Sequence, residues 1–179
     1  MTAVSQELTV EEATAVVMEK GVMEQKRVVV VDSISKNTLF RRAMEALSDW
    51  TGPEGRSKAG IDYSDKDEGV VTYKGVFYNG YRKLLLSTLP FYTDFTMKVR
   101  CKDGKAQITV TVPSMHTVLD DGSKRVWTIR EIVEGQLKAD PKTVEKAKKK
   151  TNAISAREVV YLLIQSMESA LKKDLDDDF

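Results

Sequence analysis

The stretch Phe95 to Val112, FTMKVRCKDGKAQITVTV, restricts the fold of this chain more than any other part of it. Two alternating runs flank Asp103-Gly104, a dipeptide suited to a two-residue hairpin turn in which both central residues take positive φ. With those two residues as the turn, Cys101 pairs with Ala106, Val99 with Ile108, Met97 with Val110 and Phe95 with Val112, so every apolar side chain lands on one face. The other face receives Thr96, Lys98, Arg100, Gln107, Thr109 and Thr111, and a slip of one residue would bury the charges.

A sheet with one apolar face needs cover, and the rest of the chain supplies helical stripes for it. Thr9 and Glu12 have the spacing of a capping box, and Val10, Ala13, Val16 and Val17 recur at helical period, which predicts a first helix over Val10 to Lys20. The β-branched run Val28 to Ile34 reads as a strand buried on both sides or at the sheet centre. Ser35 then caps a helix over Lys36 to Trp50, with Leu39, Phe40, Ala43, Met44, Leu47 and Trp50 inward and Arg41, Arg42, Glu45 and Asp49 outward. Gly52-Pro53 stops it and opens a loop to Gly60.

Ile61 to Ser64 and Val70 to Tyr78 read as strands joined by the polar loop Asp65 to Gly69, with Gly75 as the place for a bulge. Asn79 to Asp94 fits a short strand or a turn of helix. Pro113 is expected to end the central ladder, and Arg125 to Val133 to form a last strand after the Asp120-Asp121-Gly122 turn. Asp140-Pro141 opens a short basic helix to Lys150. Ser155 and Glu158 form a second capping box for a closing helix to Lys173, with Val159, Leu162, Leu163, Ser166, Met167 and Ala170 inward. On this reading truncating Leu47 or Leu162 to alanine costs about 2 to 5 kcal/mol.

The expected architecture is α+β: an antiparallel sheet of about five strands with the helices Lys36 to Trp50 and Ser155 to Lys173 on one face, plus an N-terminal helix. Residues 1–25 form a helical extension, 26–173 a single domain and 174–179 an acidic tail.

Composition removes several classes of function. A net charge of +1 with charged residues at 31% leaves no global field to steer the chain to nucleic acid or an anionic membrane, so local patches must carry any such reading. The single cysteine, Cys101, has no partner for an internal disulfide and falls on the apolar face, as a small hydrophobe. No run approaches the ~20 apolar residues of a membrane-spanning helix, and the start, MTAVSQELT, lacks the basic and apolar regions of a secretory signal.

The helix SKNTLFRRAMEALSDW after a β-branched strand, then IDYSDKDEGVVTYKG, then FTMKVRCKDGKAQITVTV, resembles a family of uncharacterised proteins common in gut Bacteroidetes that carry a domain of unknown function with a TATA-binding-protein-like fold. The resemblance covers about Lys26 to Lys173 and rests most on Ser64 to Gly69 and on the turn Lys102 to Lys105. It implies that fold and an exported protein of the periplasm or cell envelope, with Ala3 to Gln6 as what remains near a cleavage site. It implies no catalytic residue and no cofactor, and kinship of fold with a DNA-bending protein is analogy alone.

The residues themselves offer little catalytic chemistry. His116 is the only histidine, two residues from Ser114, and reads as a surface-loop residue; a hydrolase site near it would require His116 buried beside Ser114 and a carboxylate. Asp65, Asp67 and Glu68 lack the spacing of a calcium loop, no Cys/His cluster has zinc spacing, and Gly52 and Gly55 lack the lysine of a phosphate cradle. Two features point to binding. Lys98, Arg100, Lys102 and Lys105 converge on the polar face of the hairpin, and Lys142, Lys146, Lys148, Lys149 and Lys150 crowd a second segment, either of which suits nucleic acid or an acidic polysaccharide. Tyr63, Tyr73, Phe77, Tyr78, Tyr81, Phe91 and Tyr92 form an aromatic set, of which Tyr73 and Tyr78 are the named candidates for a small-molecule or protein ligand, against ordinary core packing. The expectation is a non-enzymatic binding or structural interaction protein.

Overall fold

The computed structural model describes residues 7–50, 60–84, 87–137 and 152–173. The expected basic helix with its lysines, most of the loop after Trp50 and the acidic tail lie outside them. Described elements run α1 (Val10–Lys20), β1 (Met23–Val30), α2 (Lys36–Asp49), β2 (Gly60–Asp65), β3 (Val70–Leu84), β4 (Ser87–Lys102), β5 (Lys105–Val118), β6 (Lys124–Thr128) and α3 (Ile129–Leu137), closing with α4 (Asn152–Lys172). The sheet has six antiparallel strands in the order β1-β5-β4-β3-β2, with β6 also pairing with β5. The chain divides into two compact units, one of Met1–Gln25, Val76–Phe95 and Thr111–Tyr161, the other of Lys26–Gly75, Thr96–Val110 and Leu162–Phe179.

In the second unit the hairpin follows the sequence pattern. Met97, Val99, Cys101, Ala106, Ile108 and Val110 are all buried, alternating with outward residues. The turn differs in one respect: Gly104 alone takes positive φ (74°), whereas Asp103 does not. Asp103 is instead committed through its side chain, whose Oδ1 accepts the N–H of Lys36 at 2.7 Å at the start of α2. Ser35 caps that helix, its Oγ accepting from the N–H of Thr38.

Two faces of these helices differ from expectation. Arg42 is buried rather than outward, because its Nη1 donates to the carbonyl of Leu171 at 2.7 Å and so ties α2 to the end of α4. Leu162 is 50% exposed, while Leu163, Ile164, Met167 and Leu171 are buried. Helix α4 begins at Asn152, so Ser155 and Glu158 lie within it and not at its start. In β1 the strand starts five residues earlier than the β-branched run, and Val28 and Val30 face outward while Arg27 and Val29 face inward. Arg27 is accommodated there by Glu168 of α4 at 2.8 Å. Strand β1 is thus an alternating strand at the end of the sheet order, with Val28 and Val30 exposed on its outward face and no described element covering them. The strand irregularity falls between Ile61 and Tyr63 of β2.

In the first unit α1 has the expected bounds, with the Thr9/Glu12 capping box formed and Gly21 (φ 76°) ending it. Where a short strand or a turn of helix was expected over Asn79 to Asp94, Asn79 to Leu84 and Ser87 to Asp94 are strand. Pro113 does not end β5. Burial falls on Ala106, Ile108, Val110 and Val112 and then on Met115, His116 and Thr117; with His116 covered by the stacked ring of Tyr92, the inward set passes from Val112 to Met115 and Thr117, a slip of one residue at Pro113-Ser114. This is the mark of a bulge, where a missing N–H is tolerated. The first β5–β6 pair, Ser114 with Thr128, follows at once. After Thr128 the chain turns into helix α3 rather than continuing as strand, because Thr128 and Glu131 form a capping box: Thr128 Oγ1 accepts from Glu131 N–H, and Glu131 Oε2 accepts from Thr128 N–H. That pairing also holds the Glu131 carboxyl below its ordinary pKa, chiefly through the Thr128 backbone N–H.

These burials separate the two leucines named above. Leu47, 1% exposed, is predicted to cost about 2 to 5 kcal/mol on truncation to alanine. Leu162→Ala is predicted to stay within about 0.5 kcal/mol. Urea unfolding of both variants checks the difference.

Candidate functional site

The second unit carries a cationic sheet face. Lys98, Arg100 and Lys102 on β4 and Lys105 on β5 are exposed on the side away from the buried residues. Alternate residues along a strand lie about 7 Å apart, so the three cations of β4 form a row. Among the described residues none of the four side chains makes an ion pair or hydrogen bond. Arg100, Lys102 and Lys105 line an open depression of about 480 Å³ with Val28, Gln107 and a single carboxylate, Glu68. The chain as a whole is nearly neutral, but this face is not.

Of the two tyrosine candidates, Tyr73 belongs to the core. It is 3% exposed, its hydroxyl donates to the carbonyl of Trp50 at 3.0 Å, and its ring meets Trp50 edge-on with centroids 5.7 Å apart. Burial raises its pKa. Asp65, in the loop that failed the calcium pattern, turns its carboxylate to the N–H of Glu68, which is the main reason its pKa is lowered. Cys101 is buried, and desolvation pushes its thiol up to about 11, so it is an inert packing residue.

Tyr78 is in the first unit, in a row of rings on the outward side. Tyr78 lies 5.6 Å from Tyr81 and 5.5 Å from Tyr92 between centroids, and Tyr92 stacks on His116 at 5.0 Å. His116 is therefore not a loop residue: it sits on β5, 6% exposed. Its Nδ1 lies 3.0 Å from the carboxylate of Asp94 on β4, and Ser114 Oγ donates to Asp94 Oδ2 at 2.8 Å. A carboxylate only accepts, so Nδ1 is the donor. The slip at Pro113 is what turns Ser114 and His116 to this side, next to Asp94, a residue that no local motif marks.

Burial of His116 beside Ser114 and a carboxylate is the arrangement that a hydrolase site would require. The order of hydrogen bonds is wrong for it, however. A nucleophile must give its proton to the histidine, with the carboxylate behind; here Ser114 and His116 both give theirs to Asp94. In this arrangement the two donors are paired with the carboxylate, and the serine proton is not directed at the imidazole. Accordingly Asp94→Ala is predicted to destabilise the fold by about 1 to 3 kcal/mol by leaving two donors unpaired, with Ser114→Ala costing less than Asp94→Ala. Denaturant unfolding checks both, and an ester hydrolysis lost in Ser114→Ala would contradict the structural role.

Among the described residues no helix is long and apolar enough to cross a membrane. Comparison with curated proteins finds no match. Among solved structures, a protein of the DUF4468 family from Bacteroides ovatus aligns over 87% of this chain and 89% of its own, with a TM-score of 0.62 at 11% identity. A TBP-like protein from Parabacteroides distasonis aligns over 86% of this chain and 95% of its own, with a TM-score of 0.59 at 13% identity. At such identities the likeness speaks for fold alone. A family model, that of the domain of unknown function DUF4468 with TBP-like fold, matches residues 26–115, half of the chain and the part holding most of β1, all of β2 to β4 and most of β5. The chain belongs to the DUF4468 family and has its TBP-like α+β fold.

Proposed function

We propose that this protein is a non-enzymatic binding module that engages an anionic partner through the cationic face of β4 and β5. One observation carries the reading: Lys98, Arg100, Lys102 and Lys105 stand exposed together without ion-pair partners among the described residues. Folding alone gains nothing from grouping like charges, whereas an anionic partner that neutralises them releases its counterions. The hydrogen-bond order at Asp94, Ser114 and His116 argues against the competing hydrolase reading. Residence in the bacterial cell envelope is part of the proposal and rests on the family resemblance.

Heparin and a single-stranded oligonucleotide are suitable general probes. Four neutralised charges predict that log K against log salt falls with a slope of about −3 on the oligonucleotide. Replacing Lys98, Arg100, Lys102 and Lys105 by glutamine is predicted to abolish binding to both probes with the unfolding midpoint unchanged, since all four side chains are exposed. No binding by the unaltered protein, or binding untouched by the fourfold variant, would refute the reading.

A further inference from the structure

The same face carries a second kind of surface. Val28 and Val30 of β1 are 57% and 60% exposed, outward between inward Arg27 and Val29. Val28 lines the depression together with Arg100, Lys102 and Lys105. Strand β1 neighbours β5 in the sheet and ends it, and the carbonyl of Gly104 accepts from Val31 N–H at 2.9 Å, which brings the end of the valine strand to the hairpin turn between Lys102 and Lys105. A purely hydrophilic polyanion would leave those valines in water, with no gain from their exposure. An amphiphilic anion would use both: its charged groups meet the cations, and its apolar part covers the valines.

We infer that the partner of this face is an anionic lipid surface, met by Lys98, Arg100, Lys102 and Lys105 at the headgroups and by Val28 and Val30 at the boundary with the acyl chains. The inference rests on the anion-binding reading above and narrows it. Basic residues near a bilayer gain from its negative surface potential, and short apolar side chains add a term that salt does not screen. Binding is peripheral: the residues involved are side chains of one sheet face, and no spanning segment takes part.

Cosedimentation with phosphatidylcholine vesicles containing phosphatidylglycerol tests it, with heparin binding measured in parallel. The unaltered protein is expected to bind these vesicles and not pure phosphatidylcholine vesicles. Val28→Thr with Val30→Thr keeps β-branched side chains in the strand, and is expected to weaken vesicle binding about tenfold or more while heparin affinity stays the same. Heparin binding without vesicle binding, or equal vesicle binding by the double variant, overturns the lipid inference and leaves the anion-binding reading standing. Failure to bind either heparin or vesicles overturns both.

Discussion

The turn at Asp103-Gly104 is the constraint on which the second unit depends. Gly104, at φ 74°, closes the hairpin, and its N–H and C=O both leave the sheet ladder: the first donates to Ile34 and the second accepts from Val31. Asp103 takes the first N–H of α2. One turn thus fixes where β1 ends and where α2 starts. The turn before β3 closes against the same region, with Lys36 Nζ on the carbonyl of Asp67 at 2.7 Å and Gly69 beside Cys101. A Cβ at Gly69 would come within 2.6 Å of the Cys101 carbonyl oxygen, so that position needs glycine for space as well as for its φ of 68°. With register fixed this firmly, the alternation of β4 and β5 leaves the four cations no face but the outward one.

The parts of the fold that were legible in the sequence are those where a local signal and a tertiary role coincide. The hairpin shows both alternation and a turn, and α1 and the start of α2 carry side-chain caps that bond within three residues. Local pattern and structure part where distant partners decide. Arg42 looked solvent-facing because nothing nearby announces the Leu171 carbonyl that receives it. The inward Arg27 broke the apolar pattern of β1, and its partner Glu168 is far along the chain. Pro113 reads as a terminator on local grounds, yet a bulge accepts it. Thr128 and Glu131 have capping-box spacing in the sequence, but the strand-like residues around Trp127 carry the stronger local signal.

The candidate sites divide in the same way. The cationic face was legible because alternation alone places Lys98, Arg100, Lys102 and Lys105. The Asp94, Ser114 and His116 group was not, since it exists only once the strand phase slips at Pro113 and β4 lies alongside. Proximity of serine, histidine and carboxylate is a poor guide to chemistry by itself; the direction of each proton decides, and here both point to Asp94. Tyr73 shows the reverse case, a side chain suited to a ligand surface that the fold spends on capping the carbonyl of Trp50.

The central claim is that this sheet face is the binding surface. Mapping backbone amide shifts by NMR during titration with a heparin oligosaccharide tests it most directly. The account predicts perturbations concentrated on Lys98 to Gln107, fading as salt is raised. Perturbations centred instead on Tyr78, Tyr92 and His116, or spread without a focus, would contradict it.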